Sequence, residues 1–138
     1  MNVLVTDTGF SADDWTGDFI ALTDMAANDC GAVAIDLASD AEPTYLAQCL
    51  ERIAMIRVDF PSFADGRGLT IAAQLRRMGF LGRLRARGQI ISDQYAMARR
   101  AGFDEVEIDD ALATRQPEPE WLARANWRAH DYQARMRG

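Results

Sequence analysis

The chain has 138 residues, 49% of them hydrophobic, and a formal net charge of −6. That length and apolar fraction suit one packed domain, and the acidic balance argues against nucleic acid or an anionic membrane as partner. All fifteen basic residues are arginine, which excludes a lysine base, a lysine Schiff base and a P-loop lysine.

Cys30 and Cys49 stand alone without metal-ligand or CxxC spacing, so both are expected as free thiols in a reducing compartment. His130 is the only histidine, too few for a two-histidine zinc site. No stretch approaches the ~20 apolar residues of a membrane span, and no signal peptide is legible. A soluble, cytoplasmic protein is the expectation.

Asn2 to Val5 reads as a short strand turning at Thr8–Gly9. Ser11 is placed to cap a helix with Asp13 and Asp14 in its first turn and Trp15, Phe19, Leu22 and Ala26 along one stripe. Ala32 to Leu37 reads as a buried strand. A helix follows, with Pro43 in its first turn and Leu46, Cys49, Leu50 and Ile53 inward. Met55 to Phe60 is the next strand, ended by Pro61. A helix bearing Ile71, Leu75 and Met78 runs to Gly79. Leu84 and Ala86 then alternate with Arg83, Arg85 and Arg87 in the period of a strand. Ser92 to Arg100 reads as a helix stopped by Gly102, and Phe103 to Asp109 as a strand. Thr114 to Pro119 reads as a linker before a last helix.

Strands separated by helices of about three turns predict βαβ units. The expected fold is one α/β domain over residues 1–138, with 114–138 a linker and C-terminal helix. Its sheet would be open, mostly parallel and five-stranded, with helices on both faces, Rossmann-like or flavodoxin-like in a loose sense.

Three constellations carry candidate chemistry. Arg83, Arg85 and Arg87 would set guanidiniums about 7 Å apart along one strand face. They would serve as an anion strip, or pair with the acidic row Glu105, Glu107 and Asp109 on the neighbouring strand. Asp65, Gly66, Arg67 and Gly68 follow a strand and precede a helix, at the carboxyl edge where open parallel sheets bind ligands. They offer two glycines, open helix-start N–H groups and a forked cation, an oxyanion site unless Asp65 and Arg67 simply lock a turn. Asp93 and Gln94 open the next helix at the same edge. There a carboxylate would serve as base or hold an arginine, unless the pair is only a helix start. GxGxxG and GxxxxGK are both absent, and no metal or cluster ligands are apparent, so no cofactor is assigned. Trp121, Trp127, His130 and Tyr132 load the terminal helix with aromatic residues, for core docking or for a partner surface.

The run Phe60 to Gly68, the later Leu84-Arg85-Ala86, the spacing from Gly88 to Asp93-Gln94, and Gly102-Phe103-Asp104 closely resemble the bacterial DUF934 family. The likeness spans about Ala32 to Asp109, with weaker matches at Asp14-Trp15 and Tyr132-Gln133. Arg83 departs from it, since the family usually has an acidic residue there. Members are described as uncharacterised proteins or probable oxidoreductases linked to sulfite reduction, commonly encoded beside sulfite reductase. The resemblance therefore implies an accessory or oxidoreductase component of assimilatory sulfite reduction. It would bind a small sulfur oxyanion or the reductase at Asp65, Gly66, Arg67, Gly68, Arg85, Asp93 and Gln94. A non-catalytic adaptor working through the C-terminal aromatic helix is the alternative, and whether the protein is an enzyme stays open.

Overall fold

A computed structural model describes residues 2–22 and 34–128. The strands are β1 (Val3–Thr6), β2 (Gly9–Ala12), β3 (Ile20–Ala21), β4 (Ala34–Leu37), β5 (Met55–Phe60), β6 (Arg83–Gly88) and β7 (Glu105–Ile108). The helices are α1 (Arg67–Arg77), α2 (Tyr95–Ala101), α3 (Asp110–Arg115) and α4 (Glu118–Leu122), with 3-10 turns at Pro43–Leu46, Leu50–Arg52 and Ser92–Gln94.

The strands form one sheet in the order β2-β1-β7-β6-β5-β4-β3. β3 to β7 are parallel and sequential, while β1 runs antiparallel to both β7 and β2. The sheet is thus seven-stranded rather than five-stranded. The added strands come from stretches of two to four residues, too short for periodicity to reveal.

Successive right-handed crossovers that advance in one direction put every connection on the same side of a sheet. Accordingly Ile71, Ala72 and Leu75 of α1, Tyr95 and Ala98 of α2, Leu112 of α3 and Trp121 of α4 share one buried cluster. They meet Ile35, Leu37, Ile56, Val58, Phe60, Leu84, Ala86, Val106 and Ile108 from the strands. Among the described residues the helices cover this face only, not both.

Side chains alternate along a strand, so the opposite face carries the intervening residues. Register places Asp36 beside Arg57, Arg57 beside Arg85, and Arg85 beside Glu105. The segment between β2 and β3 lies over this charged face. Phe19 stacks 3.7 Å from the Arg57 guanidinium carbon, and Asp13 and Asp14 bond Arg85 and Arg83. The helix expected from Ser11 is therefore not present through Leu22. Its spacing of three and four reflects a chain that drops selected residues onto a sheet; Ala26 lies outside the described residues.

Other local expectations change as well. Pro43 heads a 3-10 turn rather than a full helix, and a second short turn follows Cys49. Cys49 is disulfide-bonded, which overturns its reading as a free thiol and removes the support that reading lent to a reducing compartment. Cys30 lies outside the described residues. The linker residues Thr114 and Arg115 end α3, and Pro119 sits in the first turn of α4, where its missing N–H costs nothing. His130, Tyr132 and the rest of the terminal segment also lie outside the description. No helix among the described residues is long and apolar enough to cross a membrane.

Candidate functional site: a charged sheet face and the carboxyl edge

The charged face is a continuous ion-pair ladder. Arg57 donates through Nε and Nη2 to both oxygens of Asp36, at 2.6 and 2.8 Å, and through Nη1 to Glu107 at 3.1 Å. Arg85, with a side chain 0% exposed, donates to Glu105 at 2.7 Å, to Glu107 at 2.8 Å and to both oxygens of Asp13 at 3.2 Å. Arg83 grips Glu105 at 2.7 and 2.8 Å and reaches Asp14 at 2.8 Å. Asn2 donates to Glu107 at 2.6 Å. The arginine row is thus matched to the acidic row, as the cross-strand alternative expected. The exceptions are Arg87, whose one contact among the described residues is 3.5 Å from Nε to Glu107, and Asp109, which instead caps α3 by accepting from the Leu112 N–H.

Burial alone would raise the Glu107 carboxyl, but hydrogen bonds from Asn2, Arg85 and Arg57 outweigh it and hold the group below its ordinary value. Burial likewise favours loss of charge on Arg85, yet its carboxylate partners raise it further above the usual arginine range. Arg85 is therefore a fixed internal cation, enclosed by carboxylates.

The carboxyl edge is built by the segments that follow β4, β5 and β6. Asp65 turns back on Arg67, accepting from its Nε at 3.0 Å, its Nη2 at 2.8 Å and its backbone N–H at 3.1 Å. Those bonds hold the Asp65 carboxyl well below the usual carboxylate range. Arg67 also donates to the Ser39 hydroxyl at 2.9 Å, tying this loop to the one after β4. Its side chain remains 61% exposed. Gly66 precedes α1 and has open space where a Cβ would stand. Gly68 is a packing glycine: a Cβ there would lie 2.5 Å from the Phe60 ring.

Gln94 joins the two edge loops. Its side-chain oxygen accepts from the Ile91 N–H at 3.0 Å, and its amide donates to the Phe63 carbonyl at 2.8 Å. Asp93 is not a partner of Arg67; it pairs with Arg124 and lines a recess with Arg100 and Trp127. Gly88 closes β6 at φ 120°, and a Cβ would sit 2.5 Å from the Phe60 carbonyl oxygen. Only glycine lets the chain come that close, so that Gln89 N–H reaches Phe60 at 2.8 Å.

The structure therefore groups Asp65, Gly66, Arg67 and Gly68 at one loop, ties Gln94 to that loop, and places Arg85 within the sheet face and Asp93 on another surface. Arg57, Asp36 and Asp59 join this face although the sequence alone assigns them no role. The signal for Arg57 and Asp59 is the alternation Met55, Arg57, Asp59 against Ile56, Val58, Phe60, with the same period as the arginine row; Asp36 is the one charge that breaks the apolar run Ala32 to Leu37. Among the described residues no group of three or more histidine, cysteine, aspartate or glutamate side chains is placed to hold a metal ion.

The terminal aromatics divide. Trp121 is core, stacked edge-on with Tyr95 at 6.2 Å and donating to the Gln116 carbonyl at 2.8 Å. Trp127 lies against Arg99 and donates to Asp7 at 3.2 Å. Tyr95 and Arg99 complete that cluster by bonding the same carboxylate.

Together these features define an α/β protein with a sequential parallel sheet, an ion-paired face and a loop-built carboxyl edge. The chain belongs to the DUF934 family, described as a bacterial protein of unknown function, which it matches over residues 34–138. The matched region begins at β4 and so contains the whole carboxyl-edge site. Neither the curated proteins nor the solved structures gave a match.

Proposed function

We propose that the protein is an accessory or oxidoreductase component of assimilatory sulfite reduction, engaging a small sulfur oxyanion or the sulfite reductase at the carboxyl edge of its sheet. The observation that carries the reading is Arg67, a forked cation 61% exposed at the start of an eleven-residue helix, at the edge where parallel sheets take ligands. The resemblance of the central block supplies the pathway. Gly66 leaves open space beside the loop, while Asp65, which also caps the Arg67 N–H, and Ser39 pre-set the guanidinium, which lowers the ordering cost of recognition. Arg85 would act by fixing the sheet beneath the edge, and Gln94 by fixing the Phe63 loop beside it. Asp93 would serve only through Arg124.

Asp65 already occupies one side of the Arg67 fork, so a bare dianion would meet a carboxylate at close range. A protein partner would not need to displace it. Tyr45, 77% exposed, and Phe63, 38% exposed, stand on segments of the same edge, and an aromatic–arginine surface is the composition of interface hot spots. Docking of the reductase is thus the better-supported form. The adaptor alternative loses one of its tryptophans, since Trp121 is 1% exposed.

Titration calorimetry with sulfite and sulfate, and a pull-down with purified cognate sulfite reductase, separate the two forms. The docking form predicts capture that Arg67→Ala weakens at least about tenfold, the effect of losing one charged hot-spot side chain. Heat with sulfite that Arg67→Ala removes would select the oxyanion form. Absence of both results rejects the reading.

A further inference from the structure

Where β4, β5 and β6 end, the charged face opens into a recess of about 230 Å³ lined by Ala21, Asp36, Leu37, Ala38, Arg57, Asp59 and Arg87. Two of its charged residues are spoken for, because Arg57 holds both oxygens of Asp36. The other two are not. Asp59 and Arg87 are register partners on adjacent strands and so share this face. Yet they make no ion pair with each other, and Asp59 accepts no hydrogen bond among the described residues. Arg87, 44% exposed, makes one long contact, 3.5 Å from Nε to Glu107. That glutamate is already served by Asn2, Arg57 and Arg85. Arg87 therefore keeps both terminal nitrogens open, and Asp59 keeps its lone pairs open.

The charge arrangement selects the ligand. An isolated anion at Arg87 would face Asp59 and Asp36, and an isolated cation at Asp59 would face Arg87 and Arg57. A molecule carrying both charges meets each with its opposite, since Asp59 and Arg87 stand side by side on adjacent strands. The volume equals roughly seven to eight waters at about 30 Å³ each, so the molecule is small. We propose that this recess binds a small zwitterion, an α-amino acid with a short side chain, its carboxylate on Arg87 and its ammonium on Asp59. The site is separate from the Arg67 loop, and the inference does not depend on the reading above.

Saturation-transfer NMR tests it on the full chain, with glycine, L-alanine, L-serine and L-cysteine as zwitterionic probes and acetate, sulfate and ethylammonium as singly signed ones. At least one zwitterion is expected to give transfer, and the singly signed probes none. Arg87→Ala and Asp59→Asn should each weaken binding about tenfold or more, as loss of a charge-assisted hydrogen bond implies. Their melting temperatures should stay near that of the wild type, because both side chains lack strong internal partners. Arg67→Ala should leave zwitterion binding intact, while removing any sulfite heat, so the two proposals fail separately. No transfer from any amino acid, transfer undiminished in both recess variants, or acetate or sulfate binding as well as glycine would overturn the assignment.

Discussion

Replacing Arg85 with methionine should destabilise the protein by about 3 kcal/mol, because it strands carboxylates rather than because it removes attraction. Arg85 is fully enclosed and contacts Glu105 at 2.7 Å and Glu107 at 2.8 Å, both themselves buried. Breaking a buried pair from one side costs about 3–5 kcal/mol. Each glutamate retains a second guanidinium, Arg83 for Glu105 and Arg57 for Glu107, so the lower end applies. For a domain of this size the loss lowers the melting temperature by roughly 10 °C. Urea unfolding would show an earlier midpoint at unchanged slope. Adding Glu107→Gln to Arg85→Met should cost less than the sum of the two single changes, with a coupling of about 0.5–3 kcal/mol. A single-variant loss under about 1 kcal/mol, or strict additivity, would refute the ladder as an element of stability.

Further outcomes follow from the same geometry. Gly88→Ala should cost at least about 1–2 kcal/mol, since it forces a Cβ onto the Phe60 carbonyl at a positive φ; a stability within 0.5 kcal/mol of wild type (about the spread of neutral surface changes) would contradict that close approach. Gln94→Ala should cost about 1 kcal/mol and raise hydrogen exchange at Ile91, whose N–H loses its acceptor; unchanged exchange would count against the loop tie. Asp7, Asp13, Asp14, Asp65 and Glu107 are all held below their ordinary values when folded, so the unfolded chain binds more protons in acid. Their contribution is present above the ordinary carboxylate values and is lost as pH falls through the depressed folded ones. Urea midpoints measured from pH 6 downward should therefore decline below about pH 4.5, near the ordinary carboxylate range. A midpoint flat to pH 2 would oppose this. Asp14→Asn, on a side chain 67% exposed, should change stability by less than about 1 kcal/mol and lose that effect in high salt.

Much of the central sheet was legible because its chemistry is local. Met55 to Phe60 is bounded by Pro61 and reads as a strand of those limits, and the arginine and acidic rows announce their pairing by a common period of two. The reading failed where one pattern has two geometries. Trp15 and Phe19 recur at helical spacing, but here that spacing drops aromatic rings onto arginines from an irregular segment. Glu105 and Glu107 alternate with Val106 and Ile108 as if exposed, yet all four are buried, because arginines from the neighbouring strands neutralise them. The direction of the crossovers, which places the described helices on one face, depends on strand order and is invisible in any single segment. At the site, Asp65 and Arg67 were readable from a loop between strand and helix. Arg87 was readable as a member of the arginine row, but the Arg57–Asp36 clamp and the openness of Asp59 and Arg87 were not, since they emerge only when three strands are laid in register.

The measurement that bears most directly on the proposed role is the dissociation constant of purified sulfite reductase for this protein, compared between wild type and Arg67→Ala. Docking through the carboxyl edge predicts measurable binding that the substitution weakens at least about tenfold while the melting temperature holds. Equal affinity of the two forms, or no binding by the wild type together with no heat from sulfite or sulfate, would contradict it.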